Sequence, residues 1–131
     1  MASVFSRIAA GEIPCHKILE DDQYLAFLDV QPLVTGHVLV IPKRETDYIF
    51  DIGDDELSGL MVFAKKVATA LRKAVPCKRI GIAVIGLEVP HAHVHLVPMQ
   101  TADDLNFTRP KLKPGQEELA ETAALVRSFL V

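Results

Sequence analysis

Cysteine is scarce in this chain of 131 residues: Cys15 and Cys77 are the two, and no CxxC pair exists. No disulfide framework can be argued from them. Positive charge is not in excess either. Fourteen Lys and Arg stand against 17 Asp and Glu, a net charge of −3 with no basic block. A nucleic-acid-binding surface therefore has no electrostatic support, although a small anionic ligand needs only local donors. Long apolar runs are missing too: nowhere do the about 18 uninterrupted apolar residues of a membrane span occur. The N-terminus, MASVFSRIAAGEIP, lacks a basic region followed by a long apolar stretch, so no signal peptide is expected. The chain reads as soluble and cytoplasmic, with neither nucleic acid nor membrane as partner.

What remains is globular in composition. Half the residues are hydrophobic, 24% are charged, and no low-complexity tract or repeat interrupts them. Such a chain can bury a proper core as one domain over residues 1–131. Residues 3–10 carry a short helix pattern that Gly11 ends, and 16–20 and 23–29 read as strands around Asp21–Asp22. Residues 31–36 form a loop. The run His37–Ile41, apolar on both faces, suits a central strand. The clearest helix is 54–75, with Leu57, Leu60, Met61, Ala64, Val67, Ala68 and Leu71 at i, i+3, i+4 spacing. Its acids lie in the first turn and Arg72 and Lys73 in the last, matching the helix macrodipole. A strand over 79–86, an antiparallel histidine strand after it, an irregular stretch over 100–115 and a helix over 116–130 complete the chain. The final helix places Leu119, Ala123, Val126 and Leu130 on one side. The order predicts an α+β domain with a five-stranded antiparallel sheet.

The chemistry concentrates in residues 88–98, EVPHAHVHLVP, which hold three of the five histidines. In an extended chain, i, i+2 and i+4 share a face, so His91, His93 and His95 are expected in a row, with Ala92, Val94 and Leu96 behind. Structural histidines satisfied by their neighbours are the bland reading. A zinc site is a second, but adjacent i and i+2 residues on a strand normally supply two ligands, and no third has a recognisable spacing. The third is a protein that uses the row to hold an anionic ligand. The fourth is covalent catalysis: neutral imidazole is a competent nucleophile near neutral pH, and neighbouring imidazoles can donate to the non-bridging oxygens of a phosphate. The chemistry of the residues alone leaves the last two open.

The run His91-Ala92-His93-Val94-His95-Leu96-Val97 resembles the His-φ-His-φ-His-φ-φ signature of the histidine-triad (HIT) nucleotide-binding family. Residues 5–43, FSRIAAGEIPCHKILEDDQYLAFLDVQPLVTGHVLVIPK, are similar to that family's N-terminal half, including an Asp-x-x-Pro loop and a Gly-His start to the next strand. The similarity spans about residues 3–98; the last 33 residues carry none. The resemblance implies a homodimer whose two five-stranded sheets join into one of ten strands. It implies a hydrolase or transferase acting on purine nucleoside phosphoramidates or dinucleoside polyphosphates through a nucleotidyl-histidine intermediate, with no cofactor. A non-catalytic purine nucleotide-binding module is the alternative. By position, His93 would be the nucleophile, His95 and His91 would contact phosphate, and His37 would support them. Phe5, Ile8, Phe27, Val30 and Leu39 would surround the base, with Asp29 toward the ribose hydroxyls. Each apolar member can equally be core, and Asp29 can equally cap a turn.

The chain departs from the family pattern in two places. Relatives carry an asparagine and then a loop ending Gly-Gln-Ser/Thr before the histidine strand. Here Ile85-Gly86-Leu87-Glu88-Val89-Pro90 stands there, which bears on substrate choice and rate. Glu88 takes the position of a hydroxyl aimed at the leaving group. It is expected either to point away from an anionic phosphate or to serve as a general acid. Some relatives bind a structural zinc through an N-terminal cysteine pair; Ser3 and Ser6 occupy that place, so no metal is expected. Cys15 beside His16 does not make a four-ligand site.

Overall fold

Two runs with no charged residue, YLAFL and VLVI, dictate the centre of the molecule. The computed structural model describes residues 2–130. Helix α1 (Val4–Ala9) is followed by strands β1 (Lys17–Glu20), β2 (Tyr24–Leu28) and β3 (Val38–Pro42), and every residue of β2 and β3 is buried. A 3-10 turn at Ile49–Asp51, helix α2 (Asp54–Ala74), strands β4 (Arg79–Ala83) and β5 (Val94–Met99), a second 3-10 turn at Ala102–Leu105 and helix α3 (Gln116–Arg127) follow. The five strands form one antiparallel sheet in the order β1-β2-β3-β5-β4. The α+β architecture with a five-stranded antiparallel sheet is as predicted.

Alternation along the strands divides the apolar side chains between two faces. Ala26, Leu28, Val38, Val40, Val94 and Leu96 meet Leu60, Phe63, Ala64, Val67 and Leu71 of α2 and Leu119, Ala123 and Val126 of α3 in the main core. Leu25, Phe27, Leu39 and Ile41 point to the other face, where Phe5 of α1 covers them. Cross-strand register continues that second face: Phe27 opposes Leu39, and Leu39 opposes His95. The sheet thus delivers an imidazole to the end of an apolar row. The β2–β3 connection is tight. At Gly36 φ is +91°, and a Cβ there would sit 2.9 Å from Val75 and 3.2 Å from Pro98, so the loop reaches His37 only with glycine.

Four expectations need correction. The histidine run is not a strand throughout, since β5 begins at Val94. The Ala92 N–H donates to Thr46 O at 2.7 Å, drawing residues 91–92 toward the chain after β3 and away from β4. For the same reason β4 stops at Ala83, opposite His95, and 84–90 leaves the sheet. The α2 stripe is also rotated. Phe63 and Ala70 are buried where Met61, expected inside, is 43% exposed. Tyr24 sets this rotation: its hydroxyl donates to Glu56 O at 2.8 Å, and its ring lies 5.5 Å from that of Phe63. Helix α3 ends at Arg127, and Leu130 packs on the core from beyond it.

Candidate active site

A cavity of about 520 Å³ opens on the second face of the sheet. Its apolar wall comes from Phe5 and Ile8 of α1, Phe27 of β2, Leu39 of β3, and Val30; its polar wall includes His93, His95, Asp29 and Glu88. The sequence places Phe27 and Leu39 there by strand parity, and Ser3 places Phe5 by capping α1, since its Oγ accepts the Ser6 N–H at 3.0 Å. The Phe5 ring meets the edges of Phe27 at 5.7 Å and His93 at 4.9 Å.

Hydrogen-bond partners assign the tautomer of each imidazole. A carbonyl can only accept, so Nδ1 of His93, 2.7 Å from His91 O, carries the proton. In neutral His93 the lone pair is then on Nε2, which no described group claims and which is not sealed from the cavity. The Leu33 N–H can only donate, so His37 Nδ1 accepts it at 3.0 Å and the His37 proton is on Nε2. That Nε2–H donates to His95 Nδ1 at 2.9 Å. His95 in turn carries its proton on Nε2. The result is one free imidazole lone pair, on His93, beside a neighbouring N–H donor on His95; the two rings are 4.9 Å apart.

Burial keeps His37 and His95 neutral. Desolvation, with the neighbouring His95, pushes His37 down to about 3. Burial first, then the charges of His93 and Lys111, push His95 down to about 4. The 3.8 Å approach of His37 Nε2 to Asp29 Oδ2 is therefore not an ion pair at neutral pH. Asp29 Oδ1 accepts the Gln31 N–H at 2.9 Å, capping the loop, while burial raises the pKa of its carboxyl. Asp29 thus caps the turn and also stands in the cavity wall.

His91 does not join the row in the cavity. It is fully buried, with Nε2–H donating to Pro42 O at 2.7 Å and Nδ1 accepting from Ser3 Oγ at 2.9 Å, Ser6 Oγ lying 3.2 Å away. With both ring nitrogens engaged and no place in the cavity wall, His91 offers nothing to a ligand. Its carbonyl accepts the His93 Nδ1–H and so orients that ring. His37 likewise stands behind His95, outside the larger cavity. Glu88 is exposed at the cavity wall.

The sequence and the fold that carry this site have counterparts among known proteins. A family model described as "HIT domain" matches residues 10–102. The chain belongs to the HIT family. Curated HIT relatives include an uncharacterised HIT-like protein of Mycobacterium tuberculosis, 31% identical over 135 residues, covering 99% of this chain and 94% of that protein. Adenosine 5'-monophosphoramidase of Saccharomyces cerevisiae is 37% identical over 98 residues, 74% of this chain and 62% of that protein. Among solved HIT structures, a HIT-like protein from Bartonella henselae superposes with a TM-score of 0.85 at 28% identity, covering 98% of this chain and 96% of its own. A structure described as a Zn-bound histidine triad family protein from Mycobacterium smegmatis gives 0.84 at 31% identity, covering 99% and 94%.

The zinc of that relative prompts a test of the donors here. Around His91, Ser3 N–H and Ser6 Oγ–H both donate to Glu45 Oε1 at 2.7 Å, and these bonds hold the Glu45 carboxylate down at about 2. Zinc favours thiolate, imidazole and carboxylate; two hydroxyls already spent on His91 and Glu45 do not suit it. Asp29, His37 and His95 also bring one ligand atom each within 4.8 Å of one another. Yet His37 Nε2 carries a proton because Leu33 occupies Nδ1, so it has no lone pair to offer. Neither group fits a metal.

Sequence reasoning missed the contributors from the C-terminal part of the HIT fold. Phe107 sets its ring 4.7 Å from His95, and Lys111 joins the cavity wall. Both lie in the stretch read as irregular, outside the resemblance, and a lone Phe between Asn106 and Thr108 gives no periodic signal. Glu45 was missed for a similar reason, as its partners are about 40 residues away.

Proposed function

We propose that this protein is a nucleotidyl hydrolase or transferase acting on purine nucleoside phosphoramidates or dinucleoside polyphosphates, with His93 as nucleophile. The observation that carries the reading is the unclaimed Nε2 lone pair of His93 beside the Nε2–H of His95. The base lies in the slot of Phe5, Ile8, Phe27, Val30 and Leu39, with the ribose hydroxyls toward Asp29. His93 Nε2 attacks the α-phosphorus, forming a P–N bond as the bond to the leaving amine or phosphate breaks; an amine departs with a proton from solvent. His95 donates to a non-bridging oxygen, where charge builds. Water then attacks phosphorus, releasing the nucleoside monophosphate and restoring His93. Neutral imidazoles and no metal suffice for each step. His91 and His37 serve as positioning residues through His93 and His95.

The yeast relative supports this reading by its name, adenosine 5'-monophosphoramidase. A homodimer belongs to it as well. Strand β4 is an edge, and Ile82, Val84 and Ile85 on or beyond it are exposed, a combination that natural sheets cover or pair. Among the described residues no helix is long and apolar enough to cross a membrane; cytoplasmic placement is part of the proposal, with Cys15 and Cys77 both free. One feature favours a non-catalytic nucleotide-binding module instead: the family resemblance puts Leu87 and Glu88 at the positions of a glutamine and a hydroxyl. Incubation with a fluorogenic adenosine phosphoramidate and with diadenosine polyphosphates separates the two. Turnover by the wild type, abolished in His93→Ala, selects the enzyme; nucleotide binding without turnover selects the module.

A further inference from the structure

The cavity wall is short of positive charge. It contains two carboxylates, Asp29 and Glu88, the imidazoles of His93 and His95, and a loop whose side chains at 85, 87 and 89 are aliphatic. Such a wall would repel a phosphate. We propose that Lys111, carried in by the C-terminal segment, is the residue that binds the phosphate of the nucleotide and makes the cavity selective for charged over neutral nucleosides. The proposal rests on the nucleotide reading above and adds a determinant that lies beyond the matched family region.

The segment is built to deliver this residue. Arg109 is held by Asp104 at 3.2 Å and Asp103 at 3.6 Å, and its N–H donates to Asn106 O at 3.2 Å. The Leu112 N–H donates to Pro32 O at 2.9 Å, fixing the chain against the loop that follows Asp29. Phe107 rests its ring against His95 and His37, 4.7 and 6.1 Å away. Between these anchors Lys111, itself exposed, stands at the wall of the cavity that His93 and His95 line. It is the one Lys or Arg in that wall, and no carboxylate lies within salt-bridge distance of it among the described residues. Its charge nevertheless reaches the site, holding down the pKa values of His37 and His95 and opposing the burial-driven rise of Asp29. An ammonium on the same cavity wall as those imidazoles, without a carboxylate partner, is suited to an anion that arrives with the ligand.

Titration calorimetry with AMP and with adenosine tests this on the wild type, Lys111→Ala and Lys111→Arg. The alanine variant should bind AMP at least about 10-fold more weakly, as loss of one charge-assisted contact implies, and adenosine within about 2-fold of wild type. Lys111→Arg should restore AMP binding, and raised salt should weaken wild type more than Lys111→Ala. Equal AMP affinity in wild type and Lys111→Ala overturns the proposal, as does an equal loss for AMP and adenosine, which would mark a packing role. If the wild type binds neither ligand, the nucleotide reading itself fails and this proposal falls with it.

Discussion

Replacing His37 by phenylalanine tests the imidazole relay at its base. His37 is 1% exposed and joins two buried partners, the Leu33 N–H at 3.0 Å and His95 Nδ1 at 2.9 Å. Phenylalanine keeps the ring and roughly the volume but leaves both partners unsatisfied, at roughly 1–3 kcal/mol each. The gain from burying a less polar ring offsets about 1 kcal/mol of that, so the net loss near neutral pH is roughly 1–5 kcal/mol. Acid should shrink this gap, and the sign follows from linkage. His37 titrates at about 3 when folded and near 6.5 when unfolded. Between those values the unfolded chain binds a proton that the native protein does not. Wild-type stability therefore falls with falling pH through that window by about 1.4 kcal/mol per unit from this residue alone. The variant has no such group, and release of His95 Nδ1 to accept a proton acts in the same direction. Urea midpoints measured from about pH 7 down to about pH 5 should show the variant's deficit narrowing by about 2 kcal/mol or more. A deficit that stays constant or widens in acid, or no deficit at neutral pH, would refute the neutral relay.

Three further outcomes are expected. Ser3→Ala removes the acceptor for Ser6 N–H and the donor to His91 Nδ1, and should lower stability by roughly 1–2 kcal/mol; added zinc should leave the wild-type urea midpoint unchanged, whereas a zinc-dependent rise would restore a metal site. Multi-angle light scattering at micromolar concentration should give a dimer mass, and Ile82→Lys on the β4 edge should shift it to monomer; a wild-type monomer counts against the ten-stranded sheet. Turnover of an adenosine phosphoramidate should persist in chelator, and loss of activity restored by zinc would contradict catalysis by imidazoles alone.

The parts of the fold legible in the sequence are those written as local periodicity. Residues 23–29 read as a strand and VLVI as a central one, and the acids, stripe and final Arg72–Lys73 of α2 marked that helix to within one residue at its C-terminal end. Of the site, Phe5, Ile8, Phe27, Asp29, Val30, Leu39, Glu88, His93 and His95 all line the one cavity. What could not be read depends on contacts between distant segments. The Ala92–Thr46 hydrogen bond turns His91 out of the row, and no spacing rule announces it. The Tyr24 hydroxyl rotates α2 so that Phe63 displaces Met61 from the core. Phe107 and Lys111 reach the histidines because Leu112 pairs with Pro32 across 80 positions, a placement that local propensity does not encode. The tautomers were equally hidden, since each depends on a partner's carbonyl or N–H, and they decide which histidine holds a free lone pair.

The central claim, that His93 Nε2 is the nucleophile, is most directly tested by trapping the intermediate. The protein would be mixed with an adenosine phosphoramidate, quenched within the first turnovers and digested, and the peptides examined by mass spectrometry under conditions that preserve phosphohistidine-type bonds. The account predicts one added nucleoside monophosphate, borne by His93 and lost in His93→Ala. The same adduct on His95 or His91, or turnover undiminished in His93→Ala, would contradict it.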